Sequence, residues 1–285
     1  MQCAYCTEKA VMNTPPRCKN HFVELFEKTA HETIKEFNLI QEGQTLCVAA
    51  SGGKDSLALL EVLHTQYPVE ALCVDEGIAG YRDTSIRDLQ AYCTEKSIPL
   101  RIVSFADLGS KSLDELNPTH PCSTCGVLRR KALLQYSTKY DLIATGHNLD
   151  DEAQTILMNI LRNQRQLLSR IGPKTPAQQG IAARIKPFYL IPEKEIRAYC
   201  LLKQITTNFS ECPNVVKSFR WRVGEELNEL ERKQPGTKKN IVTAFLNKHY
   251  VREEHKRCEQ HFCRRCGMPA SNELCRACTL ITIGS

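Results

Sequence analysis

Short apolar runs alternate along this chain with longer stretches whose apolar residues fall near helical spacing. Phe22, Leu25, Phe26, Ile34 and Phe37 predict an amphipathic helix over 22–40. Apolar runs over 45–50, 69–74, 100–105 and 141–145 predict buried strands, and helical patterns over 55–66, 84–96, 122–139 and 150–161 accompany them. The Gln-, Gly- and Pro-rich stretch 163–183 predicts a loop, 183–188 a further strand, and Ile191-Pro192-Glu193 the start of a helix reaching about 204. Residues 214–250 are mostly helical in pattern, with a break at Pro235-Gly236. Strands alternating with helices imply parallel crossovers, hence an α/β sheet covered on both faces.

Composition narrows the class. With 42% hydrophobic residues in 285, a real core can form. No run approaches the roughly 18 apolar residues of a membrane span. The start, Met1-Gln2-Cys3-Ala4-Tyr5-Cys6, lacks the basic-then-apolar run of a secretory signal, so a cytoplasmic protein with no membrane partner is expected. Residues 160–260 hold 20 Lys or Arg against 10 Asp or Glu in a chain of net charge +6, which leaves the rest net acidic. Such a basic half suits a polyanionic partner, and equally a solvated surface.

The strand ending at Ala50 runs into Ser51-Gly52-Gly53-Lys54-Asp55-Ser56 and then a helix start. Glycines let the backbone turn its N–H groups towards an anion, the helix N-terminus adds its dipole, and Ser51, Ser56 and Lys54 supply donors and charge. The spacing is not that of a Walker loop. A second strand leads into Gly146-His147-Asn148-Leu149-Asp150-Asp151-Glu152, another glycine turn before an acidic helix start. If the two strands are neighbours, both turns face one crevice at the carboxyl ends of the sheet. Asp55, Asp150 or Asp151 could then hold Mg²⁺ on phosphates, and Val74 and Asp75 would border a nucleotide base.

Fifteen cysteines in a chain without a secretory signal argue for metal binding. Cys3, Cys6, Cys18 and His21 form one closed set of the structural zinc kind, and Cys263, Cys266, Cys275 and Cys278 another. His255, Cys258 and His261 are left over. Cys47, Cys73, Cys93 and Cys200 lie in apolar patterns and are expected in the core. Cys122 and Cys125 open a predicted helix, and Cys212 stands alone. A redox pair needs only the first two, a zinc site wants a fourth ligand, and an iron–sulfur cluster with three thiolates leaves one iron open.

The order Ser-Gly-Gly-x-Asp-Ser after a strand resembles the PP-loop of the N-type ATP pyrophosphatases, and Gly146-His147-x-x-Asp150-Asp151 resembles a second segment of that superfamily. With Pro121-Cys122-x-x-Cys125, the isolated Cys212 and both terminal cysteine sets, nearly the whole chain resembles the cluster-dependent tRNA 2-thiouridine synthetases. The resemblance implies a Rossmann-like PP-loop domain flanked by zinc modules. The expected division is a zinc finger over 1–24, a catalytic domain over 25–212, a basic tRNA-contacting segment over 213–257 and a zinc ribbon over 258–285. It implies ATP at residues 50–56, 74–75, 146–147 and 150, a 4Fe–4S cluster on Cys122, Cys125 and Cys212, and catalytic roles for Asp55, Asp151 and Lys131. It also implies tRNA as substrate, sulfide or a ubiquitin-like thiocarboxylate as sulfur donor, and a homodimer. The rival readings are a lysidine-synthetase-like ligase, which needs no cluster, and a non-catalytic zinc-ribbon RNA-binding protein.

Overall fold

The computed structural model describes residues 1–13, 15–177, 180–207, 211–248 and 261–283. The junction expected between 257 and 258, His255 and Cys258 lie outside them. The N-terminal module is a hairpin of β1 (Met12–Asn13) and β2 (Pro16–Arg17) that runs directly into α1 (Lys19–Glu36). Helix α1 starts before residue 25 because its apolar face, Phe22, Phe26, Ala30 and Ile34, already belongs to the main core.

The central sheet alternates as the pattern requires: β3 (Leu46–Ala49), α2 (Lys54–His64), β4 (Val69–Asp75), α3 (Tyr81–Glu95), β5 (Leu100–Ser104), α4 (Leu113–Leu116), α5 (Pro121–Tyr136), β6 (Leu142–Thr145) and α6 (Leu149–Leu161). Strands β7 (Lys174–Thr175) and β8 (Ala183–Ile185) and helix α7 (Glu193–Leu202) follow. The strand order is β5-β4-β3-β6-β8-β7, and all neighbours are parallel except β7 with β8. The chain direction across the sheet reverses between β3 and β6, whose register pairs Ala49 with Thr145. Both glycine turns therefore leave the sheet at its switch point, where parallel sheets bind ligands. The central strands are buried on both faces, which is why they read as unbroken apolar runs.

Two details depart from the sequence pattern. The stretch 163–183 is not wholly loop: it holds a 3-10 turn (Arg165–Arg170) and β7, a two-residue strand too short to show periodicity, which pairs along the edge of β8. The strand expected over 183–188 stops at Ile185, and Phe188 and Tyr189 turn into the core.

Helices α8 (Phe219–Lys233) and α9 (Thr237–Lys248) share one apolar cluster with α6 through Val223, Leu227, Val242 and Phe245. The C-terminal module consists of β9 (His261–Phe262), β10 (Pro269–Ala270) and α10 (Arg276–Ile283). Ala277 and Ile281 of α10 pack with Leu128 and Ala132 of α5.

Phe26 anchors α1 to the sheet domain. Its ring stacks on Tyr199 at 4.1 Å and meets Phe188 edge-on at 5.4 Å. Truncation of so large a buried ring leaves a cavity, so Phe26→Ala should lower the unfolding free energy by about 3–5 kcal/mol in a urea titration.

Candidate active site and metal centres

The 51–56 loop is a tight cradle. Gly52 has φ +81°, and a Cβ there would lie 1.9 Å from the Ser85 carbonyl oxygen on α3. Only glycine fits this position. The Ser56 hydroxyl accepts from the N–H groups of Ser51 and Gly52, both at 3.1 Å, and donates to the Gly53 carbonyl at 2.9 Å. These N–H groups and the start of α2 form a nest suited to an anion. Lys54 Nζ lies 2.9 Å from Asp55 and 2.6 Å from Glu193, so its charge is held at the loop by two carboxylates.

The second turn presses on the first. A Cβ at Gly146 would meet the Asp55 backbone at 2.9 Å. Asn148 caps α6 by accepting from Asp150 and Asp151, and its Nδ2 donates to Asp55 Oδ1 at 3.1 Å. The Asn148 N–H donates in turn to Asp151 Oδ2 at 3.2 Å. One asparagine thus holds the carboxylates of Asp55 and Asp151 at the same crevice. Burial, with the charge of Asp55, pushes Asp151 up to about 6 against the pull of Arg220. Burial likewise raises Asp55, opposed by Lys54. Two desolvated carboxylates of raised pKa are a donor set that a hard divalent cation would relieve. His147 reaches solvent at the crevice but is packed round by protein. That desolvation, with Lys186, Arg184 and Arg220 nearby, drives its pKa well down.

Asp150 does not join this pair. Its carboxylate accepts from the Glu193 N–H at 2.8 Å and is ion-paired with Lys238, so it ties α6 to α7 and α9. Residues a helix position apart point about 100° apart, which separates Asp150 from Asp151. Val74 is buried, and Asp75 accepts from the Gly77 N–H at 2.9 Å in the turn after β4.

The three isolated cysteines come together. Cys122 and Cys125 open α5, and Cys212 packs with Cys125 against the same apolar cluster. The Cys122 thiol donates to the Asn214 carbonyl at 3.3 Å. Burial and the neighbouring Glu76 push Cys125 up to about 12, opposite to the lowered thiol of a redox pair. Three converging thiols without a fourth cysteine, at a helix N-terminus and beside Arg129, fit an anionic iron–sulfur cluster better than closed tetrahedral zinc.

Each terminal set also closes. Cys3, Cys6, Cys18 and His21 have their ligand atoms within 4.8 Å of one another, as do Cys263, Cys266, Cys275 and Cys278. Cys18 Sγ lies 3.2 Å from His21 Nδ1, Cys6 and Cys18 are 3.6 Å apart, and Cys266 and Cys275 3.8 Å. A tetrahedron with Zn–S bonds of about 2.3 Å has edges of about 3.8 Å, so both sets fit structural zinc. Cys47, Cys73, Cys93 and Cys200 are buried in the core.

Lys131 sits on the side of α5 that faces the C-terminal module. Its Nζ lies 3.7 Å from Cys278 Sγ, against the C-terminal cysteine set. Leu128, Lys131 and Ala132 form the buried face of α5. Cys122, Cys125 and Arg129, spaced three and four apart, share another face, and Arg129 reaches Glu76 at 3.6 Å. The cation turned towards the cysteines is therefore Arg129.

The model of the PP-loop domain family matches residues 23–223. A tRNA-5-methyluridine(54) 2-sulfurtransferase of Thermus thermophilus is 35% identical, covering 98% of this chain and 91% of the relative. A cytoplasmic tRNA 2-thiolation protein 1 of Oryza sativa is 36% identical, covering 98% and 82%. Among solved structures, a U34-tRNA thiolase, NcsA, from Methanococcus maripaludis with its [4Fe-4S] cluster matches with a TM-score of 0.82 at 32% identity, covering 98% of this chain and 96% of that one. The chain belongs to the PP-loop tRNA 2-thiolation family.

Several residues at the thiolation-family site carry no motif of their own. Arg82 on α3 donates to the Ser51 carbonyl at 2.7 Å and the Val74 carbonyl at 2.6 Å, and its Nε lies 2.7 Å from Glu76. Glu76 in turn meets Arg129. Arg220 on α8 lies 3.6 Å from Asp151 and donates to Thr155 at 2.9 Å. The signal for Glu76 was its place directly after a strand end. Arg82 and Arg220 give no local signal, since their partners are distant in sequence.

Two outcomes follow from this geometry. Gly52→Ala should reduce ATP-dependent pyrophosphate release by at least about a hundredfold, because the cradle must shift to clear the Ser85 carbonyl. Asp151 has a folded pKa above its unfolded value, so its ionised form destabilises the empty fold. That penalty is complete above about pH 6 and fades as pH falls towards the unfolded value of about 4. Asp151→Asn should therefore stabilise the nucleotide-free protein by about 1–2 kcal/mol at neutral pH, after allowance for solvent screening, and the gain should vanish near pH 4 in denaturation curves.

Proposed function

We propose that this chain is an ATP-dependent tRNA-uridine 2-sulfurtransferase acting in the cytoplasm. The observation that carries the reading is the joining of the phosphate cradle to the cysteine-bearing helix. From Ser51, Arg82 reaches Glu76, and Glu76 meets Arg129 on the face of α5 that holds Cys122 and Cys125. The phosphate cradle and the thiol-bearing helix are thus joined through three charged side chains.

In the first step the start of α2, with Ser51, Ser56 and Lys54, holds the ATP phosphates, and the N–H groups of 51–53 exchange their Ser56 and Ser51 oxygens for phosphate oxygens. Asp55 and Asp151 would hold Mg²⁺, which when bound would supply positive charge to the phosphates. The uridine O2 attacks the α-phosphorus as N3 gives up its proton, and the bond to pyrophosphate breaks. In the second step a sulfur nucleophile attacks C2 and the C2–O bond breaks, releasing AMP. Sulfide enters, AMP and pyrophosphate leave, and no net electrons are exchanged.

Cys122, Cys125 and Cys212 would hold a 4Fe–4S cluster, which when bound supplies an iron free of protein thiol as a seat for the incoming sulfur. Arg129 steers that anionic sulfur and the adenylate together. The sulfur comes from sulfide or a ubiquitin-like thiocarboxylate protein. Structural zinc in the two terminal modules stabilises segments too short for cores of their own. The relatives act at uridine 54 or uridine 34, so the product names the position.

Cys212→Ala should lose iron and tRNA thiolation together in an anaerobic assay with Mg-ATP, sulfide and unmodified tRNA, with nucleosides mapped by mass spectrometry. Pyrophosphate release that depends on tRNA should persist. Full thiolation by the variant would overturn the cluster assignment, and pyrophosphate release with no thiolation by the wild-type protein would favour a ligase without a cluster.

A further inference from the structure

Residues 211–221 cross from the thiol half of the site to the carboxylate half. At one end Cys212 joins the other two cysteines, and the Asn214 carbonyl accepts from Cys122. A 3-10 turn over Val215–Lys217 follows, and Ser218 caps α8. At the other end Arg220 reaches Asp151, Gln154 and Thr155 on α6. The inward side of this segment is thus occupied by the site itself.

Its outward side is unusually apolar. Phe219 and Trp221 stand about 100° to either side of Arg220 on the first turn of α8, and both are more than a third exposed. Val216 is 54% exposed just before them. On the Phe219 side, Ile160 and Leu161 at the end of α6 are 55% and 62% exposed, and the Arg162 guanidinium lies 4.4 Å over the Phe219 ring. Acid is absent from the sequence here. Between Glu152 and Glu193 there are six Lys or Arg and no Asp or Glu, and residues 212–224 hold three basic residues and no acid.

We propose that this lip of aromatic and arginine side chains docks the unpaired tRNA loop that presents the target base, an inference that rests on the tRNA reading above. Proteins read single-stranded RNA by stacking splayed bases on aromatic rings and guanidinium planes, with cations meeting the phosphates. Phe219 under Arg162 is such a platform, and Trp221 is a second ring across the residue that touches Asp151. A second copy of the chain fits less well, because a two-fold contact here would set arginines against arginines without a compensating acid.

The test uses the full, metal-loaded protein. Trp221 is the sole tryptophan, so its fluorescence reports stacking directly. Unmodified tRNA should quench it, and a blunt RNA duplex of equal length should not. Phe219→Ala and Trp221→Ala should each weaken tRNA binding by roughly 5- to 100-fold, with iron content, ATP binding and oligomeric state unchanged. Arg162→Ala should also lower the slope of log affinity against log salt by about one. Equal tRNA affinity in the aromatic variants, with wild-type protein that binds and thiolates tRNA, would overturn the lip while leaving the activity standing. Loss of a dimer in either variant would assign the surface to a second copy and overturn it too. Wild-type protein with no preference for tRNA over duplex would overturn both this inference and the activity on which it rests.

Discussion

The buried guanidinium of Arg82 sets the spacing between the two halves of the site. It takes the Ser51 carbonyl, the Val74 carbonyl and the Glu76 carboxylate together, and the Arg82 and Glu76 side chains are only 3% and 5% exposed. Cutting away one partner of such a pair leaves an uncompensated buried charge, which is far more costly than the pair is stabilising. The planar fork donates in several fixed directions at once, a geometry that lysine cannot reproduce. Because one donor fixes the phosphate cradle and another fixes the tip of β4, the loop cannot move without β4 and Glu76 moving too. Glu76 then reaches Arg129, so the position of the cysteine helix is set from the ATP loop.

Around that strut the crevice holds paired charges: Asp55 with Lys54, Asp151 with Arg220 and Lys186 with Glu152. Asp55 and Asp151 are held near one another by Asn148, and burial raises the pKa of both. At His147 burial, and after it the nearby cations Lys186, Arg184 and Arg220, lower the pKa. Lys186 is bound to buried Glu152 at 2.7 Å, so that part of the positive wall is itself fixed. Carboxylates of raised pKa held beside fixed cations in a cleft are the kind of arrangement found where charge is exchanged with a ligand.

The α/β alternation and the phosphate cradle were legible because their information is local. A strand, two glycines, hydroxyls and a helix start lie within a dozen residues, and each has one structural meaning. The terminal metal sets were legible for the same reason, since their ligand spacing is short and fixed. The surroundings of Lys131 were not, because helix phase decides them: two residues' difference turns a side chain by about 200°, from the face of Arg129 to the face that meets Cys278. Asp150 and Asp151 are likewise indistinguishable as a dipeptide. Only the packing of Lys238 and of the α7 N-terminus assigns one of them to structure. Strand β7 escaped notice because two residues carry no period, and Arg82 because its partners lie 8 and 31 residues away.

The terminal modules follow from the same constraint. Neither is a separate bead: β2 continues into α1, whose Phe22 and Phe26 enter the main core, and α10 lies on α5 through Ala277 and Ile281. Helix α5 is thus clamped at three places, by Arg129 to Glu76, by its apolar face to α10, and by Lys131 to the C-terminal cysteines. A zinc ion bound by four thiolates carries net negative charge, and a buried ammonium beside it offsets part of that charge where water cannot. Lys131 therefore belongs to the metal module electrostatically and to the cysteine helix covalently. Order in the C-terminal cysteine set is thus coupled, through α10 and Lys131, to the helix that presents Cys122 and Cys125.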